Sequence, residues 1–427
     1  MSAAIIFTLL LVLMLTGMPI SISLGLTVLT FLFGFTQVPL ESVALKLFTG
    51  IEKFEIMAIP FFILAGNFLT HGGVARRMIN FAASMVGHWY GGLGLGGVLA
   101  CALFAAVSGS SPATVVAIGS ILLPAMVKAG FPRSFGAGVI TTSGALGILI
   151  PPSIVMVMYS VATNTSVGAL FMAGVVPGIA LAGVLAGVTW YRAKKFDYPR
   201  LPKATWGERL KAFRASAWGL VLIVIVMGGI YTGMFTPTEA AAMSAVYAFF
   251  VAVFVYKDMG LKDVPRVLLN SANMSAMLLY IITNAVLFSF IMTNENIPQS
   301  LADWMLGNGL GVITFLLAVN VILLLAGNFM EPSSIVLIFA PILFPVAMKL
   351  GIDPVHFGII MVVNMEVGMC HPPVGLNLYV ASGITKMGIT ELTVAVWPWL
   401  LSMLGFLAVV TYWPGLSLWF PRMLGMM

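Results

Sequence analysis

Charge is what this chain has least of. Only 8% of its 427 residues are Asp, Glu, Lys or Arg, against 60% apolar, too few polar groups to cover a water-soluble surface. The net charge of +6 does not point to nucleic acid, because the basic residues sit between apolar runs and are not interleaved with aromatics; membrane topology accounts for them better. Cysteine is scarce too: Cys101 and Cys370 both fall in apolar sequence, which argues against a disulfide framework and for packed thiols. The four histidines, His71, His88, His356 and His371, are scattered, and HExxH, GxSxG, P-loop and paired-cysteine motifs are missing. No catalytic set is legible, so the chain reads as a non-enzyme. No Lys or Arg precedes the first apolar run, MSAAIIFTLLLVLML, which reads as a span and not as a cleaved signal.

What is present is one unusual segment in two versions. SGSSPAT at 108–114 opens an apolar stretch ending in ILIPPS, and NFMEPSS at 328–334 opens a similar stretch ending in MCHPP. Pro112 matches Pro332, Pro124 Pro345, Gly130 Gly351, Gly147 Gly368, and Pro151-Pro152 Pro372-Pro373, always 220 or 221 residues apart. Interrupted hydrophobic segments at corresponding places in two halves point to the binding site of a secondary transporter.

Apolar stretches near span length give an all-α polytopic membrane protein of two repeats. The first, 1–192, has spans at about 3–18, 20–37, 55–70, 133–164 and 168–192, with a re-entrant hairpin at 91–128; span 133–164 is broken at Pro151-Pro152. A basic linker, 193–214, leads to the second repeat, 215–427. Its spans are expected at about 215–233, 237–256, 276–292, 355–386 and 390–420, with a hairpin at 309–350 and a break at Pro372-Pro373. Amphipathic segments at 40–54, 74–90, 258–274 and 295–308 suit interfacial helices, either arms bracing a scaffold or ordinary loop helices. Five spans per repeat is an odd number, so the repeats must be inverted relative to each other. With the linker placed in the cytoplasm, sixteen of the 20 basic residues fall on that side, leaving Lys46, Lys53, Lys349 and Arg422 outside. That asymmetry supports the topology and puts both termini outside, in the periplasm of a bacterium.

A helix that stops in mid-membrane exposes N–H groups at one half and C=O groups at the other, costly in hydrocarbon unless something binds them. Carbonyl ends suit sodium and N–H ends suit carboxylates. The first tip offers Ser108, Gly109, Ser110 and Ser111, then Pro112 and Thr114; the second offers Gly327, Asn328, Glu331, Pro332, Ser333 and Ser334. Thr142, Ser143, Gly144 and Gly147 precede one Pro-Pro pair, and Asn364, Glu366 and Gly368 the other, with Gly375 and Asn377 just after it. The alternative is Gly-rich close packing with proline kinks. Glu331 and Glu366 are costly in apolar sequence unless paired, protonated or facing a cavity; His371, five residues after Glu366, is a candidate partner. Glu239, in FTPTEAAAM, reads as part of a capped helix start.

GSSPATVVAIGSILLPAM, GILIPPSIVMVMYSVAT, GMFTPTEAAAMSAVYA, AGNFMEPSS and NMEVGMCHPPVGLNLYVASGI together resemble the large membrane subunit of the tripartite ATP-independent periplasmic (TRAP) transporters, over nearly the whole chain. The resemblance implies a sodium-coupled importer of organic acids in the bacterial inner membrane, working by an elevator motion. It implies two partners, a small four-span membrane subunit and a periplasmic substrate-binding protein, with the small subunit expected as a separate chain. No cofactor is expected beyond sodium as coupling ion, and no nucleic acid. On this footing sodium is assigned to Ser108, Gly109, Ser110, Thr142, Ser143, Gly147, Gly327, Asn328, Glu331, Asn364, Glu366 and Gly368. The carboxylate substrate is assigned to Ser110, Ser111, Thr114, Ser153, Ser333, Ser334 and Asn377. The family position before the second Pro-Pro pair is often Thr, whereas Cys370-His371 stands here, so ligation there would run through the backbone. Overall likeness favours the C4-dicarboxylate branch (succinate, malate, fumarate) over sialic acid or another carboxylate; composition and spacing are silent on this. A proton-coupled carrier, given Glu331, Glu366 and His371, or an ion channel, remain as rivals.

Overall fold

The computed structural model describes residues 2–36, 38–309 and 311–426. Gln37, at the end of an expected span, and Leu310, in the expected second hairpin, lie outside the described residues. Among the described residues every regular element is helical. The first half contains α1 (Ser2–Leu15), α2 (Ile20–Phe35), α3 (Leu40–Ile51), α4 (Ala58–His71), α5 (Val74–Val86), α6 (Gly92–Ser108), α7 (Ser111–Lys128), α8 (Arg133–Gly144), α9 (Ile154–Thr163) and α10 (Val167–Lys195). The second contains α11 (Trp206–Tyr231), α12 (Pro237–Phe250), α13 (Val264–Asn294), α14 (Ile297–Gly307), α15 (Val312–Gly327), α16 (Pro332–Lys349), α17 (Pro354–Cys370), α18 (Leu376–Thr385), α19 (Ile389–Tyr412) and α20 (Gly415–Met423). Eight described helices are long and apolar enough to cross a bilayer, and large apolar side chains such as Phe48 and Val224 stand at 69% exposure, as lipid-facing residues do.

Both predicted helix breaks are present. α8 tightens into a 3-10 turn at Ala145–Ile148 before Pro151-Pro152 and resumes as α9, and α17 ends at Cys370, with α18 beginning beyond Pro372-Pro373. Both Pro-Pro bonds are cis. Both tips are short: Gly109 and Ser110 join α6 to α7, and the four residues 328–331 join α15 to α16. Gly109 makes its turn with φ +60°, a left-handed conformation that suits glycine.

Two boundaries depart from the sequence reading. The expected amphipathic segment 258–274 and span 276–292 form one helix of 31 residues, α13, because after Pro265 in its first turn the stretch contains no glycine or proline to interrupt it. Of the polar residues near the join, Ser271 and Ser275 are buried, Ser271 accepting a hydrogen bond from the Asn67 amide at 2.8 Å, while Asn270 and Asn273 stay exposed. The last span, expected to run to 420, stops at Tyr412: Pro414 supplies no N–H, and Trp413 before it leaves helical geometry at φ −122°, ψ 83°.

The basic linker is helical at both ends. α10 carries on to Lys195 and α11 starts at Trp206 behind a capping box: the Thr205 hydroxyl accepts the Glu208 N–H and the Glu208 carboxylate accepts the Thr205 N–H at 2.7 Å. The irregular part, 196–205, is pinned to the first half. Leu201 N–H donates to the Gly87 carbonyl at 3.0 Å, Tyr198 packs edge-on to Phe135 with centroids 4.8 Å apart, and the Arg200 guanidinium lies 4.2 Å from the Tyr90 ring centre. Thr236 and Glu239 form a second capping box at the start of α12, as the sequence predicts.

The halves interleave. α4 packs on α12, α7 on α18 and α8 on α19, so the two broken helices and two hairpins share one core. Trp399 of α19 donates its indole N–H to Thr189 Oγ1 of α10 at 2.8 Å, and His356 of α17 shares a 2.6 Å hydrogen bond with Ser417 of α20.

Candidate transport site

Both hairpin tips meet at a cavity of about 390 Å³, walled by Ser108–Ala113 from the first tip and Glu331–Ser333 from the second. α9 contributes Ile154 and Val155, α4 contributes Gly66, Asn67 and Thr70, and α13 contributes Met274, Met277 and Leu278. A mostly apolar chamber with a few converging polar groups is the usual form of a small-molecule site.

Each tip also closes against the broken helix of its own half, through glycine. A Cβ on Gly147 would stand 2.6 Å from the Ser110 carbonyl oxygen, and one on Gly368 would stand 3.0 Å from the Gly327 Cα. The Gly147–Gly368 match in the sequence thus corresponds to two equivalent backbone-to-backbone contacts. Gly368→Ala should push the second tip away at a cost of about 1–3 kcal/mol, the usual range for overpacking. Detergent-solubilised protein should then unfold at a measurably lower temperature; an unchanged midpoint would contradict the closeness of this contact.

The sequence-predicted residues divide into wall and support. Ser108, Gly109, Ser110, Ser111, Glu331 and Ser333 line the cavity. Behind them, Ser111 Oγ donates to the Gly144 carbonyl at 3.0 Å, and the Asn377 amide donates to Ser111 Oγ at 2.7 Å. Thr114 Oγ1 lies 2.9 Å from Ser108 Oγ and donates to the Ser110 carbonyl, bracing the first tip. Ser334 is bound to the Glu331 carboxylate through both its N–H and its hydroxyl, each at 3.1 Å, so Glu331 caps α16. Ser153 caps α9 by accepting the Met156 N–H. Asn328 lies against the second Pro-Pro turn: with its NH2 toward the imidazole it donates to His371 Nδ1 at 2.9 Å and reaches the His371 and Pro372 carbonyls at 3.3 Å. His371 therefore does not pair with Glu366. The helix ends between them, and His371, extended at φ −90°, ψ 134°, is carried toward the tip while Glu366 stays in the core.

The broken helices hold a set of unanswered acceptors. Among the described residues, Ser143 Oγ, Asn364 Oδ1 and both carboxylate oxygens of Glu366 are buried without a hydrogen-bond partner. Ser143 and Asn364 are 221 residues apart, the repeat spacing, and each sits four residues before the glycine that meets its tip. Thr142 differs, its hydroxyl being used by the Gly138 carbonyl at 2.8 Å. The Asn364 NH2 is held by Asn320 Oδ1 at 2.9 Å, and Asn320 donates onward to Thr411 at 2.9 Å. Asn320, Asn67 and Thr70 were missed by the sequence reading; the available signal was a polar side chain isolated inside an apolar span.

Comparison with known proteins accords with this geometry. Residues 7–416 match the family model described as the tripartite ATP-independent periplasmic transporter, DctM component. The C4-dicarboxylate TRAP transporter large permease protein DctM of Rhodobacter capsulatus is 77% identical over the full length of both chains. Its namesake in Pseudomonas aeruginosa is 55% identical over 95% of each, and the sialic acid TRAP transporter large permease protein SiaM of Vibrio cholerae 36% over 96% of each. The crystal structure of the Alcanivorax borkumensis YdaH transporter shares the fold with a TM-score of 0.63, covering 88% of this chain and 89% of that one at 15% identity. A polytopic helical membrane protein with no catalytic motif, matched over nearly its whole length by transporter permeases, this chain belongs to the DctM family, the large membrane permeases of the TRAP transporters.

Proposed function

We propose that the chain is the carrier subunit of a sodium-coupled, binding-protein-dependent importer of C4-dicarboxylates. The coupling rests on one observation, the buried unpartnered oxygens of Ser143, Asn364 and Glu366 beside the two tip-to-glycine contacts. A buried acceptor without a partner is destabilising, and a dehydrated sodium ion supplies what these oxygens lack. Carbonyls of the tips, at Ser108–Ser110 and at Gly327–Asn328, complete each shell together with Thr142, Gly147 and Gly368. Glu331 stands beside the second shell, its carboxylate capping α16.

The substrate carboxylates meet the Ser110, Ser111 and Ser333 hydroxyls and the N-terminal turns of α7 and α16; Thr114, Ser153, Ser334 and Asn377 hold those groups in position. Sodium binding shapes this surface, so the loaded carrier crosses more readily, and coupling follows from that difference. The C4-dicarboxylate choice is supported by the order of relatives: DctM permeases named for C4-dicarboxylates stand at 77%, 55% and 50% identity, an isethionate permease at 43% and a sialic acid permease at 36%.

The motion is an elevator-type shift of hairpins and broken helices, within two inverted repeats at 1–192 and 215–427 joined by the cytoplasmic linker 193–214. Both termini are periplasmic in the bacterial inner membrane. A small four-span membrane subunit completes the scaffold, and a periplasmic binding protein delivers substrate. Labelled succinate should enter proteoliposomes holding all three components only with an inward sodium gradient and only with the binding protein. Uptake unaffected by replacing sodium with choline at fixed pH would refute sodium coupling and favour protons.

A further inference from the structure

A second cavity, of about 350 Å³, lies where α3, α9, α13 and α16 meet, away from the tips. Lys46, Thr49 and Gly50 face it from one stripe of α3, spaced three and four apart as a helix face requires, and Lys53, in extended backbone just past the helix end, joins them. Across from them stand Ser289 and Thr293 of α13. Gly50 lets α3 approach closely, since a Cβ there would meet the Val286 side chain at 2.5 Å. The described lining contains two lysines, Asn164 and three hydroxyls and no acidic side chain.

Lys53 is held in a specific way. Its ammonium donates to the Val161 carbonyl at 2.6 Å and to Asn164 Oδ1 at 2.7 Å, closing the carbonyl end of α9, where a cation is favoured. Partial burial pushes its pKa below the ordinary lysine value, opposed by nearby Glu55. The Lys46 ammonium lies 5.6 Å from the centre of the Phe290 ring. The same three helices line both cavities. α9 runs from Val155 to Val161, α13 from Leu278 to Ala285 and α16 from Ser333 to Leu337, which at 1.5 Å per residue separates the two chambers by ~6–10 Å.

We propose that this chamber is an entry subsite for a dianionic carboxylate, held by Lys46 and Lys53 on its way to the tips. It rests on the transport reading above and adds a station to it. Lys53 exchanges its bond to the end of α9 for a substrate carboxylate, so arrival of the anion releases the arm carrying α3 from the broken helix. Thr49 and Thr293 supply hydroxyls for the second carboxylate, and Ser289 stands on the chamber wall beside them.

The test is a protection experiment on the full-length chain in phosphatidylcholine nanodiscs. Cys101 and Cys370 are both buried, so Ser289→Cys gives one accessible thiol, labelled with an anionic methanethiosulfonate. Millimolar succinate should slow labelling about tenfold, the equivalent of a free-energy difference near 1.4 kcal/mol, while the neutral succinamide should not. The slowing should persist in Ser333→Leu, vanish in Lys46→Met/Lys53→Met and return in Lys46→Arg/Lys53→Arg. Loss of protection in Ser333→Leu would place the effect in the central cavity, equal protection by inorganic phosphate would make this a general anion site, and absence of protection would leave no subsite; each overturns the proposal. Wild-type succinate uptake, assayed in parallel, reports on the transport reading independently. Uptake without protection removes the subsite alone, and protection without uptake removes the transport reading alone.

Discussion

Ser110→Leu and Ser333→Leu should each lower sodium-driven succinate uptake by about 100-fold while the protein reaches the membrane at wild-type levels. Ser110 is half-buried and Ser333 buried, and both face the chamber where the tips meet, so a branched side chain there fills substrate space and presses on the opposite wall. Overpacking of this kind costs about 1–3 kcal/mol, and each 1.4 kcal/mol is tenfold in rate. Insertion should be untouched, because neither hydroxyl is among those that brace the tips; that work falls to Ser108, Thr114 and Ser334. Uptake within a factor of three of wild type in both variants would remove the cavity from consideration as the substrate site.

Glu366→Gln should raise the sodium concentration for half-maximal uptake by about tenfold or more, with Ser143→Ala giving a smaller rise. Glu366 is fully buried and neither carboxylate oxygen has a partner, and leaving a bare charge in such surroundings is strongly unfavourable. On the sodium proposal a bound cation would neutralise it, and glutamine would keep the shape while removing the attraction. The comparison is uptake against sodium concentration at two pH values. An unchanged sodium curve accompanied by loss of pH dependence would make Glu366 a proton carrier instead.

Much of this was legible in the sequence because proline and glycine leave marks no packing can hide. The Pro-Pro pairs located both helix breaks; Gly147 and Gly368 were read as sodium positions with glycine close packing as the alternative, and the structure shows each of them packed closely against its tip. The tip serines, with Glu331, coincide with the chamber wall, whereas Asn328 turned out to lie against the second Pro-Pro turn. Packing decisions were not legible. The continuous α13 carried one local signal, the lack of glycine or proline after Pro265, but the partner that accommodates its buried Ser271, Asn67, lies 204 residues away in the sequence. The Glu366–His371 pairing across the helix break failed because the chain turns extended past Cys370 and takes His371 to Asn328, while Glu366 stays buried within α17. The second chamber escaped notice because its two lysines read as ordinary outside charges until α9 and α16 were seen beside them.

The interleaving of the halves bears on how the protein is made. Ser111, in the first hairpin, shares its hydroxyl with Asn377, 266 residues further along the chain, and Thr189 waits 210 residues for Trp399. At a synthesis rate of roughly 5–20 residues per second, the first polar tip is complete some tens of seconds before the residues that finish its surroundings emerge from the ribosome. During that interval Ser111 can already donate to the Gly144 carbonyl but lacks the Asn377 amide that closes on it, so a chain truncated before α18 keeps the bonds internal to the first tip and loses the one that ties it to the second half.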